Sequence, residues 1–154
     1  MIRKGRFSKI LWTTLLSWFL SLSLFAQRPA SGADSDQTSF CFNVLAWNCD
    51  DHVKNVAFLM DRAGDWSLAP AFDMTYAYNP QGLWTGSHQM TFNGKRDNFM
   101  LADFKAVAKF AGLRQGRYKK ILAEVKSAVA AWPELAKQND VPIKIIRAIA
   151  AVHR

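Results

Sequence analysis

Apolar runs alternate with short polar segments along the chain, and this pattern predicts several elements. Two apolar stretches, residues 40–47 and 56–60, flank one mostly polar segment at residues 48–55. The second stretch, a Gly-containing turn at 61–65 and residues 66–69 are typical of a β-hairpin. The polar segment is therefore predicted to be a loop held firmly by its apolar neighbours, a setting that suits catalytic groups.

After residue 100 the apolar positions recur at helical spacing. The first predicted helix ends at Gly112, the second is followed by Pro133, and the third begins near Pro142. Their apolar stripes are expected to pack in the core and are, in order, Phe104, Val107, Ala108 and Ala111; Tyr118, Ile121, Leu122, Val125, Ala128, Val129 and Trp132; and Ile143, Ile146 and Ile149. Residues 76–97 show little periodicity and are predicted to be a long loop. The predicted fold class is α+β, mostly helical, with one hairpin.

The first 33 residues differ from the rest of the chain. A basic start precedes an uncharged run at residues 10–26, ILWTTLLSWFLSLSLFA, and small residues follow at Ser31 and Ala33. This order is typical of a secretory signal peptide, and the run is also near the short limit for a membrane anchor. A stretch derived from a truncated or frame-disrupted gene and an ordinary buried helix are the alternatives. We predict a leader over residues 1–33 and a folded domain over residues 40–154.

Composition and charge indicate a folded domain and limit the kinds of partner that it could bind. Half of the chain is apolar, with six Trp and eleven Phe, which supports a packed core. The net charge is +8, but five of the 20 basic residues precede residue 34, where there is no acidic residue. From residue 34 onward 15 basic residues face 12 acidic ones, a net +3, so charge gives little support to a DNA-binding function. Cys41 and Cys49 form no disulfide framework or metal pattern, and free buried thiols are expected.

The polar loop carries a spacing found in phosphotransfer enzymes. Asp50 and Asn55 are five residues apart. In the catalytic loop of protein kinases an Asp accepts the proton of the substrate hydroxyl, and an Asn five residues later binds a metal ion. His52 and Lys54 lie between them and could stabilise charge on the transferring phosphoryl group. Asp73 follows the second predicted strand, where kinases place a magnesium ligand.

Other interpretations of the same residues remain open at this point. Asp and Asn in loops are commonly turn formers, and a single histidine such as His52 is commonly structural. A metal-dependent hydrolase could also use a cluster of Asp50, Asp51, His52 and Asp73.

The combined motifs resemble the C-terminal domain of HipA-like serine/threonine kinases. The resemblance covers residues 40–154. It rests on Asn48-Cys49-Asp50-Asp51-His52-Val53-Lys54-Asn55, on Leu68-Ala69-Pro70-Ala71-Phe72-Asp73, on His88-Gln89-Met90 and on Asn93-Gly94-Lys95-Arg96-Asp97.

This resemblance implies a fold, an activity and partners. The fold would be the C-terminal lobe of a protein-kinase-like fold, and the activity that of a cytoplasmic serine/threonine kinase toxin of a type II toxin–antitoxin module. The cofactors would be ATP and Mg²⁺. The partners would be a HipB-like antitoxin, DNA only through that antitoxin, and a protein substrate such as an aminoacyl-tRNA synthetase. The implied roles are general base for Asp50, magnesium binding for Asn55 and Asp73, and contact with the nucleotide phosphates for His52, Lys54 and Phe72.

One part of the family pattern has no counterpart in this sequence. The eight glycines form neither a G-x-G-x-x-G motif nor a P-loop, which in kinases and ATPases hold the nucleotide phosphates. We therefore expect this chain to bind ATP weakly and to expose an apolar face where an ATP-binding lobe would dock. An inactive remnant that binds only the antitoxin is the alternative function. A cytoplasmic kinase also conflicts with the signal-like start, which favours gene truncation as its origin.

Overall fold

The structure is a computed structural model that describes residues 32–153 of the chain. The predicted apolar run at residues 10–26 lies outside these residues. Within the described part, no helix has the length and apolar character needed to cross a membrane.

The described residues form five α-helices and one antiparallel hairpin. In chain order these are α1 (Gly32–Leu45), β1 (Phe58–Met60), β2 (Trp66–Leu68), α2 (Leu101–Phe110), α3 (Arg117–Ala130), α4 (Trp132–Gln138) and α5 (Ile143–Ala150). A single 3₁₀ turn, Val53–Asn55, lies in the polar loop. A mostly helical protein with a small two-stranded sheet is therefore confirmed.

Helix α1 packs against α3 to form the centre of the core. Residues 40–45 of the apolar stretch form the last turns of α1, and Cys41, Phe42, Val44 and Leu45 are all buried there. Because residues three and four positions apart in these turns are apolar, this end of α1 is buried on several faces. The polar loop begins where α1 ends, so its starting position is set by the core.

The three predicted C-terminal helices are present, with corrections at their boundaries. Gly112 follows α2 with φ +69°, the left-handed conformation expected after a helix end. However, α3 stops at Ala130, and Trp132 starts a separate short helix, α4. Pro133 lies in the first turn of α4, where its missing N–H costs nothing. Trp132 therefore packs against the core as expected but does not belong to the second helix, and α4 was missed.

Two predicted core positions are on the surface. Ala111 lies just beyond α2 and is exposed, whereas Phe104 and Ala108 are buried as expected. On α5 only Ile146 is fully buried, and Ile143 keeps 59% of its surface exposed. Helix α5 packs against α4, and none of its residues belongs to the main core cluster.

The predicted hairpin is present and is apolar on its exposed surface. Phe58 pairs with Leu68 and Met60 with Trp66 in antiparallel register. Asp61 closes the turn, since its Oδ1 accepts hydrogen bonds from the backbone N–H groups of Ala63 and Asp65. Four large apolar side chains on this hairpin are exposed, namely Phe58, Leu59, Met60 and Trp66. An exposed apolar patch of this kind is typical of a surface that a partner covers.

Asp103 connects the end of the long loop to the first turn of α2. Its Oδ2 accepts hydrogen bonds from Lys95 Nζ at 2.8 Å and from the Met100 backbone N–H at 2.7 Å, and its Oδ1 accepts one from Asn93 Nδ2 at 2.8 Å. These hydrogen bonds, the one from Lys95 foremost, lower the pKa of Asp103 from its ordinary value of 3.8 to about 2. A negative charge in the first helical turn also interacts favourably with the helix dipole.

The lowered pKa of Asp103 predicts a pH dependence of stability. The contribution of this carboxylate is complete above about pH 4 and is lost as the pH falls towards about pH 2. We expect Asp103→Asn to lower the unfolding midpoint in urea at pH 6 and to flatten the decline in stability between pH 4 and 2. Asp97→Asn, an exposed position of the same loop, serves as the control. Equal pH profiles for wild type and Asp103→Asn would contradict this assignment.

Candidate active site

The polar loop is joined at its start to the segment that follows Asp73. The Cys49 N–H donates to the Ala77 carbonyl at 3.1 Å, and the Ala77 N–H donates to the Trp47 carbonyl at 3.1 Å. Trp47 itself adopts φ +55°, a left-handed conformation that turns the chain sharply out of α1. This short parallel bridge pairs Asn48 with Ala77 and so brings together two segments 29 residues apart in sequence.

Asn48 holds the backbone at Asp73. The Asn48 side chain is buried, and its Nδ2 donates to Asn43 Oδ1 at 3.0 Å and to the Asp73 carbonyl at 3.1 Å. Its Oδ1 faces the Thr75 hydroxyl at 3.5 Å. Asn48 therefore fixes the backbone position of Asp73, the predicted magnesium ligand. The sequence analysis did not assign this role to Asn48.

Asn55 links the backbone at Asp50 to the carboxylate of Asp73. Its Nδ2 donates to the Asp50 backbone carbonyl at 3.0 Å and to Asp73 Oδ2 at 2.9 Å. Both donor hydrogens of the amide are used in this way, so its Oδ1 remains as the acceptor. The structure thus places Asp50, Asn55 and Asp73 in one group, although Asp73 lies 23 residues after Asp50 in the chain.

Asp73 adopts an uncommon backbone conformation. Its φ of +55° lies in the left-handed region, which costs a residue with a side chain about 1 kcal/mol. Asp and Asn tolerate this region better than other residues that carry a Cβ. A conformation of this kind directs the exposed carboxylate towards Asn55, and such strained positions cluster at functional sites.

Asp50 is half exposed and is held by a residue from the long loop. Gln89 Nε2 donates to Asp50 Oδ1 at 2.7 Å. His52 Nε2 lies 3.9 Å from the same oxygen, too far for a hydrogen bond. The other carboxylate oxygen of Asp50 has no hydrogen bond from the described residues and is the one available to a substrate. Gln89 was noted only as part of a family-like motif and was missed as a site residue.

Asp51 has a structural role. Its Oδ2 lies 2.9 Å from His88 Nδ1, and its Oδ1 accepts hydrogen bonds from the backbone N–H groups of Gln89 at 2.7 Å and Met90 at 3.4 Å. Because a carboxylate only accepts, the proton in the first contact belongs to the imidazole. Both Asp51 and His88 are buried. This pair anchors residues 88–90 and so holds the Gln89 side chain at Asp50.

The burial of Asp51 predicts a large loss of stability on its removal. Asp51→Ala leaves the His88 N–H and the Gln89 backbone N–H buried without their acceptor, at about 1–3 kcal/mol for each group. We expect the free energy of unfolding to fall by about 3 kcal/mol, measured by urea denaturation. Asp65→Ala, on the exposed hairpin turn, should change it by less than about 0.5 kcal/mol. Similar effects for both variants would show that the Asp51 contacts contribute little.

Three further predicted site residues border this group without joining it closely. Lys54 is exposed on the 3₁₀ turn, and Phe72 is partly exposed beside Asp73. His52 Nδ1 is buried and has no hydrogen-bond partner among residues 32–153. In the described part of the chain, neither Lys54 nor Phe72 is hydrogen bonded to the group that Asn55 assembles.

The oxygen atoms at the site suit a hard divalent cation. Asn55 Oδ1 and the Asp73 carboxylate are the ligand types that Mg²⁺ prefers, and Mg²⁺ takes few protein ligands when phosphate oxygens supply the rest. Among residues 32–153, no three His, Cys, Asp or Glu side chains are placed to bind a metal together. The four-residue cluster considered for a hydrolase does not form, because Asp51 is directed at His88.

A pocket of about 370 Å³ lies directly beside this group. Asn55 and Asp73 lie on its wall, together with apolar residues of α1, the hairpin, the segment at 70–74 and α2. Its size is in the range of small-molecule sites.

Comparison with known families agrees with this geometry. A family model described as the HipA-like C-terminal domain matches residues 22–132. Since the match covers well over half of the chain, the protein belongs to the family of HipA-like C-terminal domains. Membership implies a kinase-like fold and confirms the resemblance drawn from the sequence motifs. The matched range begins upstream of Phe40 and ends at Trp132. No curated protein and no solved structure matches the chain.

Proposed function

We propose that this chain is the catalytic part of an ATP- and Mg²⁺-dependent serine/threonine protein kinase. The family of the chain supports this proposal. The observation that carries it is the Asn55 amide, which donates to the Asp50 backbone carbonyl and to the Asp73 carboxylate. One carboxylate for the nucleophile, beside an amide and a second carboxylate for a metal ion, is the arrangement that phosphoryl transfer needs.

In this proposal Asp50 accepts the proton of the substrate hydroxyl. The oxygen of Asp50 that Gln89 does not occupy receives this proton while the hydroxyl oxygen forms its bond to the γ-phosphorus and ADP leaves. Gln89 limits the rotation of the carboxylate, so the accepting oxygen keeps one direction. Holding a base in place reduces the entropy lost when the reaction begins.

Asn55 and Asp73 would hold Mg²⁺ on the nucleotide. Bound Mg²⁺–ATP supplies the phosphoryl group and neutralises part of its charge. His52, Lys54 and Phe72 would border the phosphates, with Lys54 able to reach them from the exposed 3₁₀ turn. The left-handed backbone at Asp73 directs its carboxylate towards Asn55 before any ligand arrives.

The biological setting follows from the resemblance to HipA-like kinases. The protein would be the cytoplasmic toxin of a type II toxin–antitoxin module, inhibited by a HipB-like antitoxin and linked to DNA only through it. Its substrate would be a protein hydroxyl, for example on an aminoacyl-tRNA synthetase. The exposed apolar hairpin is a surface that an ATP-binding lobe or the antitoxin could cover.

A second candidate function is an inactive remnant that only binds the antitoxin. The observation that favours it is the absence of a glycine-rich phosphate-binding motif from the 154 residues. Without such a loop, we expect the chain alone to bind Mg²⁺–ATP no more tightly than millimolar, against the micromolar order normal for substrates.

An assay with γ-labelled ATP and a panel of divalent ions tests the proposal. The chain is assayed alone and fused behind the ATP-binding lobe of a HipA-like kinase. We expect the fusion to transfer label to protein hydroxyls only when both ATP and Mg²⁺ are present. A remnant would transfer none in either form but would still bind the antitoxin, and a hydrolase would act without nucleotide. Absence of transfer by a folded fusion contradicts the kinase proposal.

A further inference from the structure

The net positive charge of residues 34–154 is concentrated on α2, α3 and the turn between them. Residues 101–130 contain seven basic and two acidic residues, a net +5, whereas the rest of this range carries eight basic and ten acidic residues, a net −2. Of the two acidic residues, Asp103 is buried and Glu124 is partly buried. Cations therefore dominate the exposed surface of these two helices.

One side of α2 exposes apolar side chains and lysines together. The six exposed residues of this helix lie on one half of its circumference, and the buried Phe104 and Ala108 lie on the other. The exposed residues are Leu101, Ala102, Lys105, Ala106, Lys109 and Phe110. Among the described residues Phe110 is the most exposed large apolar side chain, at 95%. Helix α2 therefore presents to solvent an apolar strip that only two lysines interrupt.

The exposed side of α3 extends this surface. The two helices contact each other, and Arg114 is exposed in the turn that joins them. The exposed residues of α3 are three lysines and three small residues, namely Lys119, Lys120, Ala123, Lys126, Ser127 and Ala130. Within the part of the chain that the structure describes, none of the five exposed lysines of α2 and α3 forms an ion pair. Their charges are therefore available to an external partner.

A surface of this kind matches a lipid bilayer that contains anionic lipids. Lysines reach the lipid phosphates while their alkyl stems, with Leu101 and Phe110, enter the boundary between headgroups and acyl chains. A nucleic acid would pair with the lysines through its phosphates but would leave the apolar strip uncovered.

The sequence before the described residues adds an independent observation. The uncharged apolar run at residues 10–26 follows four basic residues, a pattern typical of segments directed to a membrane. Because stable membrane attachment takes two signals, a second basic and apolar surface on the folded domain is complementary to this run.

We propose that the exposed sides of α2 and α3 bind the surface of an anionic membrane, with Phe110 as the apolar anchor and Lys105 and Lys109 as the principal cations. The attachment is peripheral and does not depend on the proposed kinase activity. The cytoplasmic leaflet carries anionic lipids, so this surface also fits a cytoplasmic protein.

Cosedimentation with vesicles tests the proposal on the full 154-residue chain. We expect the wild type to bind vesicles of mixed phosphatidylcholine and phosphatidylglycerol more tightly than vesicles of phosphatidylcholine alone. Replacing Lys105 and Lys109 together by Gln should weaken binding to the anionic vesicles by roughly 30-fold, since each lysine at such a surface contributes about fivefold. The matched control replaces Lys137 and Lys144 by Gln, which are exposed on α4 and α5, and should change binding by less than about twofold.

A second matched pair tests the apolar anchor. Phe110→Ser should weaken vesicle binding by about tenfold, because the ring no longer leaves water on binding. Leu83→Ser, at a position of the long loop that is 87% exposed, should leave binding unchanged. Residues 1–33 are present in every variant, so the differences within each pair report the folded domain alone. Thermal unfolding establishes that each variant is folded.

NMR on the wild type supplies a measurement that needs no folded variant. Lipids that carry a spin label in the upper acyl chain should broaden the ring signals of Phe110 in the presence of anionic vesicles. Absence of this broadening overturns the proposal, and so does equal vesicle binding by the two double-lysine variants. Binding of a single-stranded RNA oligonucleotide through Lys105 and Lys109, without binding of anionic vesicles, overturns it in favour of a nucleic acid partner.

Discussion

Asp50→Asn is expected to lower phosphotransfer by roughly 10²–10⁴-fold, the usual contribution of a positioned general base. An amide in this place keeps an oxygen that can accept the hydrogen bond from Gln89 Nε2, so the loop geometry should persist. The change removes the ability to take a proton from the substrate hydroxyl. The rate is measured with the fusion that carries an ATP-binding lobe, and thermal unfolding of the variant should match that of the wild type.

Asp65→Asn provides the matched control for this prediction. Asp65 is an exposed carboxylate on the hairpin turn, so the same change of charge there should leave the rate within about twofold of wild type. Full activity in Asp50→Asn would remove Asp50 from the role of base. A comparable loss in Asp65→Asn would indicate that net charge, rather than the identity of the base, controls the rate.

Asp73→Asn should lower phosphotransfer by about 10²-fold or more and should raise the Mg²⁺ concentration needed for half-maximal rate. Asparagine tolerates the left-handed backbone at this position, so the fold is kept while a charged ligand is lost. Asn55→Ala removes the partner amide and should act in the same direction. Electron paramagnetic resonance of Mn²⁺ in the presence of ATP reports metal binding without requiring turnover.

Asp140 allows a control that matches the backbone as well as the charge. It also has φ near +56° and is exposed, beyond the end of α4. Asp140→Asn should leave both the Mn²⁺ signal and the rate unchanged. Unaltered Mn²⁺ binding in Asp73→Asn and Asn55→Ala would show that the metal is held elsewhere.

Features with local signals could be predicted from the sequence. The hairpin follows from a Gly-containing turn between two apolar segments, and the two strands pair as an antiparallel hairpin in the structure. The helix α2 was marked by its apolar spacing and by Gly112. The structure also brings together Asp50, Asn55 and Asp73, whose spacing resembles a known catalytic arrangement.

Features that depend on tertiary packing were not predictable in the same way. Residues 40–47 are apolar at nearly every position, so their pattern did not distinguish a buried helix from a strand. Trp132 continued the spacing of α3, which concealed the break that starts α4. The contacts of Gln89 with Asp50 and of His88 with Asp51 join residues 37 to 39 positions apart, and no local pattern announces such pairs.

The left-handed backbone at Asp73 lowers the stability of the fold, but it carries a carboxylate that the proposed reaction needs. Glycine reaches positive φ without the clash that a Cβ introduces, so a glycine there would relax the loop by about 1 kcal/mol. The same exchange would delete the carboxylate. A library selected only for heat resistance would therefore tend to enrich Asp73→Gly. Engineering a more robust version of this domain requires that position 73 be held constant, with stabilising changes sought on surfaces such as that of α5.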